Sequence, residues 1–509
     1  MAGRTFHSIR NIVFGVADRL VTLLVPFVIR TIMIKTLGAA YLGLSNLFAS
    51  ILTVLSLAEL GIGSAMVYAM YRPIAEGNKA AVSGLLNLFR RLYGIVGTVI
   101  LAGGLGLMPV LPRLIHGGVP DGLNLYIIYL LSLANAVFSY FFGAYKSALV
   151  TALQRSDLYS IVHVLVHLVL YAAAIAGLLT TKNYYLYASL FPVATIVQNL
   201  ILSRTVDRYF GDYFCGGEIS RETRSELFHN VLALMGHKVG WVISSSIDTL
   251  SISGFLGLSA IAVYGNYYYV SKSLSTLLNM LSSGITASVG NSVVLETPEK
   301  NYGDFVTFHF LYMLVNGVCC ACLISLYQHF INLWVGPEYL YPFDTVVLFT
   351  ICFYIRNSRQ IPLTYKEAAG VWTADALKPY AEGLVNLILN LVLVQRLGVR
   401  GIVLATIVSM LFVGLPWDSC VVLKKVFRVG VSPFFARYVY YAAVTAAACY
   451  GGFCVCGQIP GTGIAAFLVK GVLCAATAFA VLVVLCLPLP ESRSAIRFAA
   501  KVIRSRTGK

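Results

Sequence analysis

The feature that most constrains this chain is the recurrence, from one end to the other, of apolar runs about twenty residues long separated by short polar turns. A helix rises about 1.5 Å per residue, so each run is long enough to cross about 30 Å of hydrocarbon. Fourteen segments fit: 12–32, 43–68, 88–111, 123–149, 160–180 and 186–203; then, after a polar stretch, 228–256, 264–293, 305–333, 343–364, 379–394 and 402–422; and finally 438–456 and 464–489. Of 509 residues 58% are hydrophobic and 11% charged, where a soluble protein carries about 25% charged residues. Mean hydropathy is +0.81. Only lipid can be the solvent for so much apolar surface. The expectation is an all-α integral membrane protein with about fourteen transmembrane helices.

The first ten residues are short and basic, and the run after them outlasts the apolar core of a cleavable leader, so it is read as a retained span. The net charge of +16 is spread over many short loops, which points to membrane orientation and not to nucleic acid. With the N-terminus inside, the inner segments hold Arg72, Lys79, Arg155, Arg204, Arg208, Arg221, Arg224, Lys424, Lys425 and Arg428, and a tail with six further basic residues. The outer loops hold Lys35, Arg113, Lys182, Arg396 and Arg400. That bias places both termini in the cytoplasm. The 11 cysteines lie mostly within apolar runs without zinc-type spacing, so no metal is expected. No phosphate-cradling glycine loop of the P-loop type occurs, and no cofactor is expected.

The longest polar connection, 204–226, divides the chain. An internal repeat supports the division. At an offset of 219, Asn11 falls on Asn230, Arg19 on Lys238, and Leu37-Gly38 on Leu256-Gly257; at 220, Tyr145-Lys146 falls on Tyr365-Lys366. Each repeat holds six helices, so both cross the membrane in the same sense, a parallel repeat that forms two lobes. The expected organisation is a six-helix lobe over 1–217, a second over 218–428, and two extra helices with a basic cytoplasmic tail over 429–509.

The stretch 37–76, LGAAYLGLSNLFASILTVLSLAELGIGSAMVYAMYRPIAE, resembles the second-helix signature of the polysaccharide transporters, the oligosaccharide flippases of the multidrug/oligosaccharidyl-lipid/polysaccharide exporter superfamily. YKSALVTALQRSD at 145–157 and LGVRGIVLATIVS at 397–409 echo the same family. The resemblance implies export of lipid-linked sugars across the bacterial plasma membrane by alternating access, alongside polysaccharide polymerase and glycosyltransferases.

Charges within spans cost about 2.5–3.5 kcal/mol each on insertion scales, so each needs a reason. The cations Arg19, Arg30, Lys238, Lys272, Arg356 and Arg359 are the candidates for binding an anionic substrate. Arg19 and Lys238 are repeat partners, and Arg356 and Arg359 are spaced to share a helix face and clamp phosphate oxygens together. Lys272 follows the cluster Tyr264–Tyr269, whose rings are candidates for sugar contact or for an interfacial aromatic belt. The acids Asp18, Glu59 and Asp248 are candidates for ion coupling or salt bridges. His163 and His167, four residues apart, lack the glutamate of a metalloprotease motif. Lys146 and Lys366 read as anchors at cytoplasmic helix ends.

Cations outnumber acids inside the spans, which favours a transporter of anions such as a polyprenyl-pyrophosphate-linked oligosaccharide. A membrane glycosyltransferase or polymerase needs a sizeable acidic outer loop, and the outer loops here are short. A drug antiporter of the same superfamily would carry more carboxylates in its interior, and an inert scaffold would have no use for charges inside spans.

Overall fold

In hydrocarbon a backbone N–H has no water to bond, so each spanning segment closes its own hydrogen bonds as a helix. The computed structural model of the protein describes residues 2–59, 61–217, 219, 224, 231, 239, 242, 246–371 and 373–506; no strand occurs among them. In order the helices are α1 (Ala2–Thr36), α2 (Ala39–Leu55), α3 (Ile62–Ala75), α4 (Lys79–Leu107), α5 (Leu125–Phe141), α6 (Lys146–Ala152), α7 (Ser156–Thr181) and α8 (Tyr184–Phe210). There follow a helical stretch at 246–256 and α9 (Leu258–Leu295), α10 (Pro298–Trp334), α11 (Phe343–Ser358), α12 (Gln360–Ala368) and α13 (Lys378–Leu397). The last are α14 (Val399–Phe427), α15 (Ser432–Gln458), α16 (Ile464–Cys486) and α17 (Pro490–Arg506).

Among the described residues seven helices are long and apolar enough to cross a membrane, and the bent pair α5–α6 makes an eighth. The other segments expected to span are broken by turns, carry polar or charged residues, or are described only in part. The all-helical membrane fold with about fourteen crossings agrees with the sequence expectation.

Helix ends follow local chemistry. Asn78, Asn124 and Asn183 each accept hydrogen bonds from the first free N–H groups of α4, α5 and α8, and Thr297 caps α10 with Pro298 in its first turn. The repeat is visible in the backbone. Gly38 ends α1 at φ 105 and Gly257 ends the 246–256 helix at φ 87, a left-handed turn open to glycine and strained for other residues. In both, the glycine N–H bonds a carbonyl five residues back, Met33 and Ile252.

The chain forms two compact units, Met1–Ala262 and Val263–Lys509. In the first, α1 packs on α7, α7 and α5 on α8, and α4 on α5. The 246–256 helix belongs to it: the Ser253 carbonyl accepts from His116 N at 2.9 Å, and its hydroxyl donates to Leu114 O. Two spans are broken. Ser56–Glu59 forms a 3-10 turn before α3, and α5 and α6 meet at 56° around Gly143, φ 81. In the second unit, α10 packs on α11, α15 and α16, α11 on α14, and α13 on α14. The apolar windows of α10 and α14 are each 56% buried and that of α16 only 17%, so α16 lies at the unit's lipid-facing edge.

Gly43 on α2 meets Leu258 so closely that a Cβ there would lie 1.8 Å from the Leu258 carbonyl oxygen. Backbone cannot yield as a side chain does. Gly43→Leu is therefore expected to reduce folded protein severely, read as loss of the monodisperse peak in detergent size-exclusion chromatography, whereas Gly106→Leu, with open space around it, should leave the peak intact.

Candidate functional site

Three helix faces in the second unit line a small recess. From α9 come Tyr264, Tyr268, Ser271, Lys272 and Ser275, from α11 Phe349, Cys352, Phe353 and Arg356, and from α14 Val403 and Thr406. The spacings of three, four and seven residues put each set on one side of its helix. Two expected cations and the tyrosine cluster are thus brought to one place.

The Arg356 guanidinium donates from Nη1 to Tyr268 Oη at 3.1 Å and lies 5.4 Å from that ring's centre. Tyr264 and Tyr268 stack with centroids 6.0 Å apart and planes 10° apart. Among the described residues no carboxylate lines the recess. Neither Arg356 nor Lys272 has an ion-pair partner among the described residues. The wall is held from behind. Tyr327 and Ser271 share a hydrogen bond at 2.6 Å, Asn357 donates to Ser275 at 3.0 Å, and Tyr267 accepts from the Tyr341 N–H at 3.0 Å. Those buried bonds fix where the recess-facing side chains stand.

Arg359 serves a different purpose from Arg356. The spacing predicts a shared face, but α11 ends at Ser358, and the turn sends Arg359 into a buried knot. It donates to Glu382 at 2.7 and 3.0 Å and to Asp418 at 2.8 and 3.0 Å. Asp418 also accepts from Lys378 at 2.7 Å and from Lys366 at 3.3 Å, and Lys366 binds Asp375. Three cations face three carboxylates. Gly414 leaves room for the guanidinium, since a Cβ there would lie 2.4 Å from Nη1. The knot was not foreseen, because its members are scattered over four elements; the signal was the run of charges in otherwise apolar segments.

The remaining candidates lie in the first unit. Arg19 is exposed on α1 and has no ion-pair partner among the described residues. Arg30 donates to Asn46 at 3.0 Å. Asp18 meets His163 Nδ1 at 2.5 Å, and the His163 and His167 rings stack 3.8 Å apart, so the histidine pair contributes a partner for Asp18. Among the described residues no His, Cys, Asp or Glu cluster fits a metal. Glu59, at the break before α3, accepts from Tyr93 at 2.9 Å and from Tyr140 at 2.8 Å. Asp248 is buried. Lys238 lies outside the described residues.

No family model and no characterised protein matches this sequence. Solved structures match its fold along most of its length. The lipid II flippase MurJ in an inward closed conformation aligns over 94% of this chain and 99% of its own, with TM-score 0.67 at 13% identity. An inward-facing multidrug resistance MATE transporter of the MOP superfamily aligns over 79% of this chain and 93% of its own, TM-score 0.57, 15% identity. A MOP superfamily transporter from Pyrococcus furiosus, described by the reverse polarity of its binding pocket, aligns over 81% and 94%, TM-score 0.52, 14% identity. The chain shares its fold with these solved structures.

The two arginines separate by stability. Removing one partner of a buried pair costs about 3–5 kcal/mol, so Arg359→Ala and Asp418→Ala should each lower the melting temperature of the purified protein markedly. Arg356→Ala and Lys272→Ala break no ion pair and should melt close to the parent. Dye-monitored thermal ramps in detergent read the difference.

Proposed function

We propose that this protein is an exporter that moves a polyprenyl-pyrophosphate-linked oligosaccharide, or a polysaccharide repeat unit, from the inner to the outer leaflet of a bacterial plasma membrane by alternating access. The observation that carries the reading is the recess in which Arg356 and Lys272 stand without a carboxylate. A guanidinium held in a spanning segment with only a phenol for a partner is matched to an incoming anion, and its planar fork suits phosphate oxygens. The stacked faces of Tyr264 and Tyr268 offer the sugar an apolar platform, and Ser271, Ser275 and Thr406 offer hydroxyls. Arg19, Arg30 and Lys238 are proposed as further anion-binding cations of the first part of the chain. Asp18, Glu59 and Asp248 are the candidates for ion coupling. A transporter with both termini cytoplasmic would move an anionic headgroup outward with an inside-negative potential, worth about 2.3 kcal/mol per uncompensated charge per 100 mV.

The fold supports transport: its neighbours include a lipid-linked flippase and MATE transporters in inward-facing and outward-facing conformations. Charge decides between their cargoes. A cationic drug in this recess would meet two cations with no compensating acid, so the drug-exporter reading is disfavoured by the same observation. No catalytic constellation is assigned, and the chain is proposed to act with glycosyltransferases and a polymerase as the source and sink of its substrate.

Losing one charge-assisted hydrogen bond removes about 1.5–3 kcal/mol, so Arg356→Ala should cut export roughly tenfold to a hundredfold at normal membrane abundance, with lipid-linked sugar accumulating on the inner leaflet. Arg356→Lys keeps charge without the fork and should retain part of the activity. The readout is leaflet-specific labelling of lipid-linked sugar in cells and proteoliposomes. Wild-type export by both Arg356→Ala and Lys272→Ala would rule the recess out as the headgroup site.

A further inference from the structure

The last helix, α17, is absorbed by none of the above. Three residues, Leu487, Pro488 and Leu489, separate it from the end of α16. Its three sides differ. Glu491, Ala495 and Phe498, spaced four and three apart, face the protein. Glu491 and Ala495 are buried, Glu491 pairs with Arg437 Nε at 2.5 Å, and the Phe498 ring meets Phe308 edge-on at 5.5 Å. Arg437 is held in turn by Tyr302 at 3.0 Å. The start of the helix is thereby fixed to α10 and α15.

The other two sides have no protein to meet. Ile496 is 60% exposed and shares its register with position 503, an isoleucine seven residues on. The chain just before α17 is also apolar and exposed, with Val484 on α16 at 62% and Leu487 in the connection at 52%. Beside Ile496 run Arg493 and Arg497, both exposed, with Lys501 and Arg504 at the same register eight and eleven residues after Arg493. The one acid of the helix, Glu491, is already taken by Arg437.

We propose that α17 is an interfacial helix that binds the anionic phospholipid headgroups of the bilayer next to the last span. Ile496 enters the acyl boundary, and Arg493 and Arg497 lie along the phosphates. An amphipathic helix with an apolar line flanked by lysine and arginine lies in the interface plane and is selective for anionic lipid. The anchoring of Glu491 sets the azimuth, so Ile496 faces the membrane and not water. Cytoplasmic placement of the tail, as proposed above, would assign this surface to the inner leaflet, but binding itself does not depend on orientation.

The test uses the full-length protein in nanodiscs, with an environment-sensitive fluorescent amino acid in place of Ile496. In discs of phosphatidylcholine and phosphatidylglycerol the emission should be blue-shifted and quenched by brominated acyl chains. It should shift to the red, with quenching lost, in phosphatidylcholine alone and in the variant Arg493→Gln/Arg497→Gln/Lys501→Gln/Arg504→Gln. Unchanged melting of that variant in detergent shows that its fold is retained. Water-like emission in every disc overturns the proposal, because the helix is then off the membrane. Equal lipid-like emission in every disc and in the variant also overturns it, because the contact is then apolar only. No transport is measured, so the result stands or falls apart from the export reading.

Discussion

A charge placed in hydrocarbon must be neutralised, wetted or left waiting for a partner, and the second unit contains the first and last of these within one helical turn. Arg359 is neutralised. With Lys366 and Lys378 it faces Glu382, Asp418 and Asp375, a balance that lets six ionised groups sit together inside a membrane protein. Arg356, three residues earlier, has a phenol and an open recess. Isolated guanidiniums cost several kcal/mol in a bilayer, and evolution offered the same chain carboxylates enough to quench one arginine twice. In the proposed reading the unquenched one is kept for cargo.

What the sequence revealed followed from period and composition. Apolar run length located the spans because the bilayer fixes the length, and Gly38 and Gly257 were legible as repeat partners because a helix end needs a left-handed residue. Lys272 and Arg356 were legible as candidates because charge inside a span is rare. Their meeting was not, since α9 and α11 are far apart in the chain. Nor was the parting of Arg356 from Arg359. The i, i+3 rule holds only while a helix continues, and α11 stops between them. Asp18 and His163 are separated by 145 residues, so no local pattern could pair them, and Glu59 gave no hint that two tyrosines would hold both its oxygens.

The repeat extends from backbone to chemistry. In each half a span is broken and its short second piece, α6 or α12, carries a buried lysine after a tyrosine: Lys146 after Tyr145, Lys366 after Tyr365. Lys146 binds Asp207 on α8 at 2.6 Å and Ser203 at 2.7 Å; Lys366 binds Asp418 on α14. A helix of seven or nine residues is too short to hold itself in place by its own hydrogen bonds, and its break leaves it free to swing. An ion pair to a neighbouring long helix fixes it. The sequence reads these lysines as anchors at cytoplasmic helix ends and is silent about their partners, because Asp207 and Asp418 stand at a different offset from the one relating the lysines.

In the proposed reading, rigidity of this kind bears on how the recess would discriminate between ligands. A site built on three helices and backed by Tyr327, Asn357 and Tyr341 cannot fold Arg356 away to admit a cation, so a positively charged ligand pays for desolvation with no acid in return. An anion gains a fork already pointed and a lysine beside it. In the same reading the tyrosines would contribute contact area and not charge, and Lys272 is exposed on α9. If the protein is the proposed carrier it must release what it binds, and an arginine supported by a phenol would recognise charge without the full strength of a sealed ion pair.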